Sequence, residues 1–223
     1  LDLAQKDKIE LPAKDVDGLR KAVVVQNRVK NLEEYIEKFQ FTLAVLQTPD
    51  ALQRVAFELA EDAAAENVRH LEVRYSPILH KDKGMTPMES LDAVIKGLRE
   101  AENEFNISTG VIICGIRNFS IESSIELAEL AIAYKYRGVV GYDLAGAEEN
   151  FPAKDHLEAF YLIRNNNVNV TLHAGEAYGP QSIHQAIHYC GANRIGHGTR
   201  LREDGDLMNY INDHRICLEV CLT

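Results

Sequence analysis

The sequence predicts an α/β protein organised around a parallel sheet, and three observations carry that reading. From about Ala51 onward, short β-rich runs alternate with helical segments whose apolar residues recur at three- and four-residue spacing, the pattern of repeated βαβ units. Two of those runs, Thr171-Leu172-His173-Ala174-Gly175-Glu176 and Arg194-Ile195-Gly196-His197-Gly198, set an imidazole at the end of a β-branched, apolar stretch, and strand ends are where such a sheet presents its chemistry. With 46% hydrophobic and 26% charged residues over 223 positions, the chain reads as soluble and large enough to bury a substantial core. No apolar run approaches the roughly 20 residues that a membrane helix requires.

The first 50 residues stand apart, with a polar start, Pro12 and Gly18. Within them Leu32, Tyr35, Ile36 and Phe39 share one helical face, an apolar stripe suited either to packing on the sheet or to lining a ligand pocket. Strands follow at 69–75, 109–116, 139–144, 168–173, 194–196 and 216–220, and helices between them at 86–104, 121–136, 154–165, 180–189 and 204–213. Right-handed crossovers set consecutive strands side by side. Six such repeats fit an open sheet or part of an eightfold barrel, and the pattern does not choose between them. No internal repeat beyond the βα alternation, low-complexity stretch or linker divides the chain, so residues 1–223 read as one domain.

A formal charge of −10 argues against nucleic-acid binding, which needs a clustered basic surface, and points to ligands that are small and not strongly anionic. Cys114, Cys190, Cys217 and Cys221 form no C-x-x-C pair. They read as buried thiols of a reducing, cytoplasmic compartment, and their spacing excludes the cytidine-deaminase type of zinc site. Three Asn-x-Ser/Thr triplets begin at Asn106, Asn118 and Asn169; the last lies in a predicted buried strand, and all three are read as chance matches.

The two imidazole runs hold the ingredients of metal binding and proton transfer. Neutral imidazoles ligate metals, proton transfer needs a nearby carboxylate such as Glu176, and a small residue such as Gly175 lets a bound ring approach the backbone. The same residues also suit hydrogen-bonded core histidines and a helix-capping acid. His70 and His80 lack an acid or glycine context. His184 and His188 lie four apart on a helix, but no glutamate follows His184 as a metalloprotease motif requires, so they read as surface residues. Glu72 and Arg74 point to one strand face and suit a structural ion pair. Asp143, three residues before Gly146, is placed to orient a member of the site.

Five segments resemble the bacterial-type adenosine deaminases of the zinc-dependent metal-hydrolase group. In family order they are His70-Leu71-Glu72-Val73-Arg74-Tyr75-Ser76-Pro77; Gly138-Val139-Val140-Gly141-Tyr142-Asp143-Leu144-Ala145-Gly146; Thr171 to Glu176 with Gly179-Pro180-Gln181-Ser182-Ile183; Arg194 to Gly198; and Leu218-Glu219-Val220-Cys221. The resemblance implies a (β/α)8 barrel with about six of its eight strands present. It further implies His173 as a zinc ligand, Glu176 as proton donor to a purine ring nitrogen, and His197 orienting the attacking water. The Gly146 backbone N–H would hold another purine nitrogen, while Leu32, Tyr35 and Phe39 would line the pocket mouth. One zinc per complete chain, a purine nucleoside ligand, and hydrolysis of adenosine or deoxyadenosine to inosine or deoxyinosine plus ammonia go with it. Adenine, adenosine monophosphate or a modified adenosine are the alternative substrates. The family's His-x-His strand and its Asn-Thr-Asp-Asp-like strand are not in this sequence, so an inactive fragment lacking most zinc ligands is the other expectation. Ala147 and Leu222 also depart from the family, which often has an acid and a proline there.

Overall fold

In a computed structural model, residues 1–25 and 31–221 are described; Leu222 lies outside them. They divide into two compact units, Leu1–Leu71 with Pro77–Thr109, and Glu72–Ser76 with Gly110–Thr223.

The first unit is helical. It holds α1 (Asp2–Asp7), α2 (Val16–Val23), α3 (Leu32–Ile36), α4 (Phe39–Val45), α5 (Pro49–Ala65) and α6 (Pro87–Glu104). Each of the longer helices starts on a polar cap. Asp15 accepts the Gly18 N–H, Thr48 accepts the Ala51 N–H, and Thr86 with Glu89 forms a reciprocal capping box. The buried face of α6, Leu91, Val94, Ile95, Leu98 and Ala101, follows the three- and four-residue spacing seen in the sequence. The stripe of Leu32, Tyr35, Ile36 and Phe39 is not one helix, because the chain turns at Glu37 and Lys38 between α3 and α4. Tyr35 and Phe39 still meet edge to face, centroids 5.6 Å apart, and both remain exposed. His80 is buried, with Nδ1 bonded to the Leu46 carbonyl at 2.7 Å, and burial lowers its pKa.

The sheet has six strands in chain order: β1 (His70–Tyr75), β2 (Ser108–Ile116), β3 (Val139–Ala145), β4 (Asn169–Ala174), β5 (Arg194–His197) and β6 (Cys217–Glu219). All run parallel, as the crossover pattern requires, and β2 to β6 pair in continuous succession. In the second unit the connecting helices are α7 (Ile121–Ala133), α8 (Leu157–Asn165), α9 (Pro180–His188) and α10 (Gly205–His214). The predicted helix at 154–165 opens instead as a 3-10 turn, Ala153–His156, before α8. His156 explains the change: its ring is buried, bonded to Ser124 Oγ at 2.8 Å and to the Arg117 carbonyl at 3.1 Å, which ties the turn to neighbouring elements.

Leu127, Tyr142, Leu144, Phe160, Leu172, Ile183 and Ile195 form the core of this unit. Tyr142 packs its ring edge-on to Phe160 and donates its hydroxyl to the Ser124 carbonyl at 3.0 Å, so a polar tip is satisfied inside an apolar core. The cysteines divide. Cys114 and Cys190 are buried as expected, but Cys217, on β6 at the end of the strand order among the described residues, and Cys221 are exposed. No described helix is long and apolar enough to cross a membrane.

Candidate active site

The site is built at the C-terminal ends of β3, β4 and β5, within the second unit. Parallel register sets Gly196 beside His173 and His197 beside Ala174, bringing the two imidazoles to 5.1 Å between ring centroids. Glu176 follows β4, and its Oε2 lies 3.6 Å from His197 Nε2. The sequence expectation that His173, Glu176 and His197 converge therefore matches the geometry.

Asp143 on β3 organises His173. Its Oδ2 accepts from the ring Nδ1 at 2.7 Å and its Oδ1 from the backbone N–H at 3.1 Å. With Nδ1 committed to a carboxylate, Nε2 is the ring nitrogen left to face a ligand, the arrangement by which carboxylates orient metal-bound histidines. Burial works against both charges, yet their mutual attraction prevails. Asp143 is held well below the usual carboxylate range by His173 and Arg74, and His173 is held above the ordinary imidazole value by Asp143. His197 goes the other way, its pKa lowered by burial despite the opposing pull of Glu176. Its backbone adopts φ +66°, a left-handed conformation that non-glycine residues seldom take.

Beneath these groups lies an ion-pair network. Arg74 Nε sits 3.2 Å from Asp143 Oδ2, with its N–H not aimed as a hydrogen bond, and Arg74 Nη2 reaches Glu219. Glu219 also accepts from Thr171 Oγ1 at 2.8 Å and lies 3.1 Å from Arg194, which in turn meets Glu72 at 2.6 Å. Glu72 and Arg74 thus pair with residues on other strands, Arg194, Glu219 and Asp143, where the sequence suggested a pair with one another.

Gly146 follows β3 with φ +107°, and a side chain there would crowd Asn118 Oδ1, at 3.3 Å from an ideal Cβ. The turn itself therefore calls for glycine. Gly175, at φ +72°, is stricter still, since its Cβ would fall 2.5 Å from Ile183 Cδ1. Leu32, Tyr35 and Phe39 belong to the first unit, with Leu32 half-buried.

Two residues important to the site, Arg117 and Glu148, went unread in the sequence, and a third, Arg74, was read for a different partner. Arg117, only 2% exposed, donates to the Phe151 carbonyl at 3.0 Å and to the His173 carbonyl, and burial lowers its pKa although Glu148 and Asp143 oppose that. Glu148 is buried with its carboxylate on the backbone of the loop that carries Glu176. Arg74, read only as a partner for Glu72, contacts the acid that orients His173. A lone arginine closing an eight-residue apolar strand, and an acid two residues past a strand-ending glycine, were the available signals.

His173 fits one ligand position of a metal. Among the described residues, however, no group of three or more His, Cys, Asp or Glu is arranged to hold an ion, and catalytic zinc uses three protein ligands.

Residues 1–223 match the family model described as adenosine deaminase. The chain is 43% identical over 227 residues to the adenosine deaminase of Mycobacterium leprae, covering 95% of this chain and 62% of that protein. Its fold resembles the crystal structure of adenine deaminase from Arthrobacter aurescens, with a TM-score of 0.89, 27% identity, and coverage of 99% of this chain and 66% of that one. It also resembles Arabidopsis ADAL complexed with IMP, with a TM-score of 0.81, 28% identity, and coverage of 99% and 64%. The six parallel strands are thus part of a TIM-barrel type of fold, and the chain spans about three-fifths of the length of the curated relative.

Proposed function

The chain belongs to the adenosine deaminase family, and from that premise we propose that the protein containing it hydrolyses adenosine or deoxyadenosine to the inosine product and ammonia. The observation that carries the reading is the convergence of His173, oriented by Asp143, with Glu176 and His197 at adjacent strand ends.

Deamination puts oxygen on an aromatic carbon and removes an amine. In the proposed reaction Glu176 hands a proton to the ring nitrogen next to that carbon as water oxygen bonds to it. One water proton then leaves with the amine as ammonia, and the other returns to the Glu176 carboxylate, so the acid is regenerated. His197, partly buried beside Glu176, orients the water. The Gly146 N–H holds the ring from the β3 side, and Leu32, Tyr35 and Phe39 are the proposed substrate-binding residues of the first unit. Zinc, one per complete chain, would be held through His173 Nε2 with ligands from outside residues 1–223; when bound, it makes water acidic enough to ionise near neutral pH. Glu176 remains one-third exposed in this chain, so the closed apolar surroundings suited to a proton donor must come from the rest of the protein or from the substrate.

A single family model over residues 1–223 supports one domain, and the buried thiols of Cys114 and Cys190 fit the reducing, cytoplasmic setting proposed for it. The incomplete ligand set supports a second statement: residues 1–223 alone bind zinc weakly and are inactive. Adenine, adenosine monophosphate and modified adenosines are the competing substrates, kept open by the likeness to an adenine deaminase and to an IMP complex. Turnover of adenine, adenosine and its monophosphate by the full-length enzyme separates them. Preference for adenine or the monophosphate by more than about tenfold in kcat/KM, about 1.4 kcal/mol of transition-state binding, would refute the adenosine reading.

A further inference from the structure

We propose that Glu148 is a positioning residue that sets the aim of Glu176 and its separation from Gly146. The proposal rests on the deaminase reading of the site. Glu148 lies two residues beyond Gly146 in the loop after β3, buried at 4% exposure. Its carboxylate receives four successive backbone N–H groups of the loop after β4. Oε1 accepts from Gly175 at 2.5 Å, and Oε2 accepts from Glu176, Ala177 and Tyr178 at 3.0, 2.6 and 3.0 Å.

Consecutive N–H groups converging on one anion form a nest, and hydrogen bonds to an ionised acceptor are the strong ones. The Glu176 side chain departs from the middle of that nest, so the dihedrals that direct it are fixed on both sides. On the carbonyl side, the Gly175 oxygen is held by the Thr199 hydroxyl at 2.8 Å and by the Arg200 N–H at 3.0 Å, residues just beyond His197. Glu148 therefore closes a chain of contacts through three loops, which carry Gly146, Glu176 and His197 in turn. A purine lying between the Gly146 N–H and the Glu176 carboxyl would have both ends of its polar contacts set through this one buried acid. Arg117, close enough to Glu148 to interact with its charge, compensates for burying it.

The test is a double-mutant cycle in the full-length, zinc-loaded enzyme with Glu148→Gln and Glu176→Gln. Glutamine retains shape but turns an NH2 toward N–H donors, which loosens the loop and shifts the Glu176 carboxyl without removing it. If Glu148 acts through Glu176, Glu148→Gln lowers kcat by about 10²-fold with zinc content retained, the cost of a displacement on the order of 1 Å. In the Glu176→Gln background the same change then lowers the residual kcat by less than about threefold. Amide exchange across residues 175–178 rises in Glu148→Gln. Equal losses in both backgrounds, or an unchanged kcat, overturn the positioning role while leaving the deaminase reading intact. A Glu176→Gln enzyme as active as wild type overturns both. Should Glu148→Gln fail to accumulate folded, Glu148→Asp, which keeps the charge and shortens its reach, enters the same cycle with the same criteria.

Discussion

Replacing Asp143 with asparagine tests the site where ligand geometry and fold meet. The wild-type carboxylate gives one oxygen to His173 Nδ1 at 2.7 Å and the other to the His173 backbone N–H at 3.1 Å. Asparagine keeps a single oxygen. With that oxygen on the backbone N–H, its NH2 faces Nδ1 and makes it an acceptor, and the ring proton moves to Nε2, the nitrogen a metal requires. With the amide flipped, two N–H groups oppose each other and a buried backbone donor is orphaned, at about 1–3 kcal/mol. Partners that orient a ligating histidine are worth about 10–100-fold in metal affinity, or about 1.4–2.7 kcal/mol. Full-length Asp143→Asn is therefore expected to hold zinc 10–100-fold more weakly in chelator competition, with kcat falling alongside at limiting metal. Arg74 keeps Glu219 as a partner, so the fold survives the change. Wild-type zinc affinity together with wild-type kcat in Asp143→Asn would refute the reasoning.

Three further outcomes are expected. His197→Ala in the full-length enzyme should keep its zinc yet lose about 10²–10³-fold in kcat, as removal of a preorganised polar group does; metal lost with activity would make His197 a ligand, and activity retained a core histidine. Phe39→Ala should raise KM several-fold with only a small fall in Tm, since a half-exposed ring paired with Tyr35 contributes about 0.5–1.5 kcal/mol; a falling Tm at constant KM would assign that helix to packing. Cys190, pushed up to about 12 by burial, and Cys114, raised well above the usual thiol value by burial and by Asp143, should stay protonated and unreactive toward a thiol reagent at pH 8 until the protein unfolds. Reactivity of Cys190 in the native state should rise only as pH climbs toward 12, and rapid labelling of Cys190 at pH 8 would contradict the burial.

The sequence alone determined the element order and most element bounds, because strand and helix periodicities are local: β-branched runs and apolar residues at three- and four-residue spacing reveal themselves within ten or twenty residues. It also determined His173, Glu176 and His197 as a group, since short βα repeats put consecutive strand ends side by side. The barrel came from family segments, as alternation by itself is common to open and closed sheets. Only the tertiary structure decided that Glu148 grips residues 27 to 30 positions away, that Arg117 reaches a carbonyl 56 positions on, and that Glu72 and Arg74 meet Arg194 and Glu219. The same holds for Cys217, whose apolar neighbours suggested burial while its place on the last strand left it exposed. Strand periodicity says which face a side chain takes, but the partner of a charge depends on register between strands far apart in sequence. A one-residue slip in that register would exchange every partner without altering the local pattern.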